Sequence, residues 1–187
     1  MRIISGERRG AKLLTPKGTH TRPTRGRVKE ALFNILSGHQ FINIITQRIV
    51  IDAFAGSGAL GLEAISRGAA LSIFIENDQN AIKTLEQNIR KLDYHHRARI
   101  IRADACTIDI PATEEAGLVI MDPPYELGLA YPCMEALEKR GWIGDETILV
   151  LEHGSTKEAD HPSWLECFKI QKYGATHLFF YRKKGRI

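Results

Sequence analysis

Asp122-Pro123-Pro124-Tyr125, directly after the apolar run Leu118-Val119-Ile120-Met121, is the most chemically specific stretch of this sequence. Two prolines fix the backbone and remove two N–H donors, so the loop offers carbonyl oxygens and a carboxylate with little competing donor chemistry. Such a loop suits a ligand that brings its own donors. The exocyclic amine of a nucleobase is a poor nucleophile because its lone pair is delocalised into the ring. Hydrogen bonds from its two N–H groups to the Asp122 carboxylate and the Pro123 carbonyl would draw that pair out of conjugation and aim it at an electrophile. Tyr125 would stack on the flipped base, an aromatic platform worth ~1–3 kcal/mol. The bland alternative is a rigid loop with a core tyrosine.

A second concentration of chemistry lies in Ile49 to Gly61, IVIDAFAGSGALG. The β-branched Ile49, Val50 and Ile51 read as a buried parallel strand, and the three glycines allow a tight turn into a helix. Gly56-Ser57-Gly58-Ala59-Leu60-Gly61 fits the fingerprint G-x-G-x-x-G, which alone is compatible with any dinucleotide-like ligand. The acids narrow the choice. Asp52 closes this strand, Glu76 the next, Asp104 follows a third and Asp122 closes a fourth, and ligands of open α/β sheets bind at the carboxyl ends of strands. Four acids at one rim repel one another unless a cationic or hydroxyl-rich ligand lies between them. Glu76 stands about 20 residues beyond the glycine turn, the spacing at which a carboxylate meets a ribose diol. Asp52 would oppose a pyrophosphate there but favours the ammonium of a methionine moiety, so the set points to S-adenosylmethionine rather than NAD.

These groups need a scaffold, and the apolar spacing supplies one. Strands are expected at Ile49 to Phe54, Leu71 to Glu76, Arg99 to Ala103, Leu118 to Met121 and Thr147 to Glu152. Helices are expected from about Leu60 to Ser66, after an Asp78 cap along the stripe Ala81, Ile82, Leu85, Ile89 and Leu92, and near Leu129 to Lys139. Such alternation implies a parallel sheet covered on both faces. Phe168 to Tyr173 and His177 to Arg182 are separated by only three residues, too few for a crossover, so this last pair is expected as an antiparallel hairpin. Ahead of the sheet, Arg2 to Ser5 and Lys12 to Thr15 read as a small hairpin with Arg8 and Arg9 at its tip. Thr24 is expected to cap a helix from about Gly26 to Leu36, with Val28, Ala31, Leu32, Ile35 and Leu36 on its apolar face.

Charge is distributed unevenly. Residues 1–30 hold nine basic and two acidic side chains in a chain whose net charge is only +4, so the remainder is mildly acidic. A basic segment on an acidic body is the footprint of a protein that grips a polyanion with one region. Arg2, Arg8, Arg9, Lys12, Arg25, Arg27 and Lys29 are the candidate phosphate contacts, against the alternative of a solvated basic surface. The odd set Cys106, Cys133 and Cys167 lacks metal-ligand spacing and suits a reducing compartment. With no secretory signal and no run of about 20 apolar residues, a cytoplasmic protein is expected.

On these residues the chain resembles the DPPY-type N-methyltransferases, and among them the RsmD family of 16S ribosomal RNA guanine-N2 methyltransferases. The resemblance is carried by MRIISG and the following Arg9-Gly10, TRPTRGRVKEALFNIL, DAFAGSGALGLEAISRGA, Asp104-Ala105 and DPPY. It implies an α/β, Rossmann-like methyltransferase fold: a mostly parallel, doubly wound sheet ending in an antiparallel hairpin, with a basic N-terminal extension (1–37) on a catalytic domain (38–187). It implies S-adenosylmethionine across the rim, with Asp52 and the Gly56-Ser57-Gly58 turn at the methionine end. Glu76 would then take the ribose and Asp104 and Ala105 the adenine edge, with Phe54, Asn77, Arg22 and Thr24 in the same cofactor set. Asp122, Pro123, Pro124 and Tyr125 would hold the target guanine. The implied partner is 16S ribosomal RNA or an assembling small subunit, with no metal, membrane or obligate protein partner. A DNA adenine-N6 methyltransferase would share DPPY, but usually carries a larger target-recognition insertion. A nicotinamide-dependent oxidoreductase would leave Asp52 and DPPY unexplained and would need about 100 more residues for a substrate domain. A non-catalytic RNA-binding module would leave the acid rim without a use.

Overall fold

The structure, a computed structural model, describes residues 1–16, 23–41, 43–124, 128–154 and 161–185, with the backbone alone for residues 23–25. Within them the chain forms β1 (Ile49–Ala53), β2 (Leu71–Glu76), β3 (Ala98–Arg102), β4 (Leu118–Met121), β5 (Ile148–His153), β6 (Leu165–Tyr173) and β7 (Thr176–Lys183). The helices are α1 (Pro23–Leu36), α2 (Ala59–Ser66), α3 (Gln79–Leu92) and α4 (Ala130–Lys139). The strands make one sheet in the order β3-β2-β1-β4-β5-β7-β6. β1 to β5 pair in parallel, and β7 runs antiparallel between β5 and β6. The order turns back on itself between β1 and β4, which places the ligand crevice of such a sheet over their carboxyl ends.

Both faces are covered, which is why β1 and β4 are buried at every position. On one face Ile51, Ile73, Val119 and Leu149 pack with Cys133, Met134 and Leu137 of α4. On the other, Val50, Ile120, Val150 and Phe180 meet Val28, Leu32, Phe33 and Leu36 of α1, while Phe74 packs with α2, α3 and the N-terminal residues Ile3 and Leu13. Asp78 caps α3 by accepting from the Ala81 N–H at 2.7 Å, and the expected stripe from Ala81 to Leu92 is its buried face. Among the described residues no helix is long and apolar enough to cross a membrane.

The structure departs from expectation in α1, at the end of β1 and in the N-terminal hairpin. α1 begins at Pro23 rather than Gly26, because proline suits the first helical position, where its missing N–H costs nothing. Thr24 therefore lies inside the helix and is not its cap. The buried positions of α1 are Val28, Lys29, Leu32, Phe33 and Leu36, with Ala31 and Ile35 only half-buried, so the helix is turned from the face expected. Phe54 is not the last residue of β1; its φ of 67° already belongs to the turn. The N-terminal hairpin is present as a single antiparallel bridge, Arg2 to Lys12, rather than as two strands.

Candidate active site

At the carboxyl ends of β1, β2, β4 and β5 lies a cleft of about 800 Å³. It brings together Asp52, Phe54, Gly56 and Ser57 after β1, Glu76 and Asn77 after β2, Asp104 and Ala105 after β3, and Asp122, Pro123 and Pro124 after β4. Eleven of the expected cofactor and catalytic positions thus share one cavity. Arg22 and Tyr125 lie outside the described residues, as do the side chains of Thr24 and Arg25.

The turn is held by the acids beside it. Glu76 accepts from the Gly56 N–H at 2.7 Å through one oxygen and from the Asn77 and Asp78 N–H groups, both at 2.9 Å, through the other. Asp52 accepts from the Gly61 N–H at 2.8 Å. That carboxylate is only 1% exposed, and burial, opposed by the Gly61 hydrogen bond and reinforced by Asp122 and Glu76, pushes its pKa up to about 8. A cationic group arriving in the cleft would stabilise the anion that burial disfavours. Asp104 accepts from the Cys106 N–H at 2.9 Å, bending the chain after β3. Burial first, and then Asp104, push the Cys106 thiol up to about 11, so it is no nucleophile at neutral pH.

The glycines divide the work. Gly56 has open space where a side chain would stand, as a backbone approached by a ligand requires. Gly58, expected at the cofactor, is also packed against the core on the side a Cβ would occupy. A Cβ there would stand 2.3 Å from Leu85 Cδ1, and φ is 78°, so this glycine lets α2 start against α3. A Cβ on Gly61 would meet the Phe74 ring at 2.4 Å.

One acid in the cleft was not among the expected site residues. Glu152, near the end of β5, lines it and is 8% exposed. The strand-end rule that found the other acids points to it as well, because the Ile148–Leu151 run stops there. Lys29 also lines the cleft, and here the structure overturns an expected phosphate contact. It is 2% exposed and its Nζ stands 3.0 Å from Glu63 Oε2 and 2.8 Å from the Arg2 carbonyl, to which it donates. Burial holds its pKa below the ordinary value although Glu63 acts to raise it. Glu63, fully buried on α2, also accepts from the N–H groups of Ile4 and Ser5 at 2.8 and 3.0 Å and from Arg67 Nε at 2.9 Å. The N-terminal segment is thus fastened to α2. Arg2, Arg8, Arg9, Lys12 and Arg27 remain exposed. Arg2, Arg9 and Lys12 line a second cavity of about 670 Å³, which shares Met1 and Lys29 with the first. Among the described residues no cluster of three or more His, Cys, Asp or Glu side chains is arranged to hold a metal ion.

The chain as a whole is similar to known proteins. The profile of a family described as "Conserved hypothetical protein 95" matches residues 1–182. Ribosomal RNA small subunit methyltransferase D of Escherichia coli is 38% identical over 152 residues, 81% of this chain and 74% of that one. Putative rRNA methyltransferase YlbH of Bacillus subtilis is 32% identical over 191 residues, covering 99% of this chain and all of its own. A solved structure described as putative methyltransferase yhhF from Escherichia coli matches 100% of this chain and 99% of its own at 31% identity, with a TM-score of 0.80. The sheet is therefore a Rossmann-like methyltransferase fold, and the chain belongs to the RsmD family of ribosomal RNA methyltransferases.

Proposed function

We propose that this protein transfers a methyl group from S-adenosylmethionine to the exocyclic N2 amine of a guanine in small-subunit ribosomal RNA. The observation that carries the reading is the cleft in which a buried Asp52, the Gly56-Ser57 turn held by Glu76, and Asp122-Pro123-Pro124 face the same space.

The cleft fits the cofactor's chemistry on three counts. Asp52 is a buried carboxylate awaiting a cation and would take the methionine ammonium. Glu76, already aligned by three backbone N–H groups, would accept from the ribose hydroxyls. Asp104 and Ala105 would border the adenine. When bound, S-adenosylmethionine supplies an electrophilic methyl group on a sulfonium. Asp122 and the Pro123 carbonyl would accept the two N–H groups of the base amine, leaving its lone pair directed into the cleft. Their contribution is positioning, and no side chain has to act as a strong base. The exposed Arg2, Arg9 and Lys12 along the second cavity would hold RNA phosphates on the way in, with Arg8 and Arg27 beyond it.

The reading is tested by incubating the protein with methyl-labelled S-adenosylmethionine and ribosomal RNA from cells lacking the gene, then digesting the RNA to nucleosides. Label in N2-methylguanosine of the small-subunit RNA is expected. Label in an adenosine, in DNA only, or nowhere would overturn the assignment.

A further inference from the structure

Glu152 and its position in the sheet go beyond the residues that deliver the amine. β4 and β5 pair in parallel with Met121 opposite Leu151, so the next residue on each chain is an acid, Asp122 on one and Glu152 on the other. Adjacent strands lie about 4.8 Å apart, the scale of one edge of a nucleobase. Both acids line the cleft. The strand order puts β4 between β1 and β5, so Glu152 is separated from Asp52 and Glu76 and stands on the side of the cleft reached through Asp122. Within β5 the residues before it, Ile148 to Leu151, are apolar. Glu152 is 8% exposed and stands at the cavity wall, where it can accept from a ligand beside Asp122.

We infer that Glu152 reads the target base, accepting the N1–H of guanine while Asp122 and Pro123 accept from the amine beside it. This rests on the guanine reading above and adds a discriminating contact to it. Guanine presents two adjacent donors on that edge, N1–H and N2–H₂. Adenine presents an unprotonated N1, whose lone pair a buried carboxylate would repel. Glu152 also has an interaction within the protein. A carboxylate has two oxygens and about four lone-pair directions, so it can serve a base as well as a group of the protein.

The test uses an unmodified small-subunit RNA carrying the guanine that the wild-type protein labels, and the same RNA with 2-aminopurine at that position. 2-Aminopurine keeps the amine but replaces N1–H by a lone pair. Single-turnover rates at saturating cofactor give the preference for guanine, and calorimetric binding of S-adenosylhomocysteine reports an intact cofactor side. The wild-type protein should prefer guanine by roughly 10- to 100-fold, the effect of one charge-assisted hydrogen bond. Glu152→Gln, whose amide can donate to the bare N1, should lose most of that preference with S-adenosylhomocysteine binding unchanged. Glu152→Asp, which keeps the charge, should retain the preference at a lower rate. The inference is overturned if Glu152→Gln keeps the wild-type preference, or if both variants lose cofactor binding in step with activity. A wild-type protein that labels no guanine refutes the parent reading; one that labels guanine while the variants discriminate unchanged refutes this inference alone.

Discussion

On the β1–β2 side of the cleft the carboxylates are met by main-chain donors, Asp52 by Gly61 and Glu76 by Gly56, Asn77 and Asp78. On the β4–β5 side Asp122 is followed by two prolines that have no N–H to offer. The first side is pre-formed by the protein, its acceptors and donors locked in one turn. The second has fewer main-chain donors in its loop, because Pro123 and Pro124 contribute none. At the turn, backbone N–H dipoles balance the clustered acids, whereas the two prolines after Asp122 add none on the other side.

The largest expected effect is on the donor-poor side. Asp122→Ala should lower the single-turnover rate by about 10²–10³, the usual cost of one well-placed polar group, with S-adenosylhomocysteine affinity preserved in calorimetry. Equal loss of both would erase the division between the two sides. Next comes the turn itself. Gly58→Ala should destabilise the fold by about 1–3 kcal/mol, since it adds a Cβ against Leu85 at a left-handed φ, and thermal melts should record this even without ligand. A melt matching the wild type would show that the Gly58–Leu85 packing sets no such constraint.

Protonation tests the same side more finely. Asp52 titrates near 8 in the fold against 3.8 as its ordinary value, so its contribution to stability is present below about pH 4 and is lost as pH rises towards 8. A ligand ammonium needs the anion. Cofactor affinity should therefore fall about tenfold per pH unit below 8, with up to one proton released on binding. Calorimetry in buffers of different ionisation enthalpy measures that proton, and Asp52→Asn should abolish the dependence. The smallest effect belongs to the RNA approach. Lys12→Ala or Arg9→Ala should each flatten the salt dependence of RNA binding by about one unit of slope and leave cofactor affinity alone, as filter binding across a salt series would record.

The sheet was legible because its strands are apolar runs that end in acids or turn residues, and the observed ends fall within a few residues of those expected. Lys29 was not legible. Its type says surface, and only the partner Glu63, 34 residues away on another helix, makes its burial tolerable. Phe33 went unnoticed for a related reason, since an apolar stripe drawn through Ala31 and Ile35 misplaces the helix by part of a turn. Glu152 was accessible to the strand-end rule, since the fifth strand is expected to end on it, and it stands one residue before the last paired residue, His153. The individual roles of the glycines depend on Leu85 and Phe74, which no local pattern connects to them.

The fastening of the N-terminal segment to Glu63 constrains what can be transplanted. A hairpin carrying residues 2–13 would not work as a portable RNA-binding tag on another methyltransferase sheet. Ile3 and Leu13 would lose their pocket, Gly6 its close approach to the Ser66 carbonyl, and the Ile4 and Ser5 N–H groups their carboxylate. A working chimera would need Lys29, Glu63, Ser66 and Arg67 moved with it, so the exchangeable module is the hairpin together with the matching faces of α1 and α2.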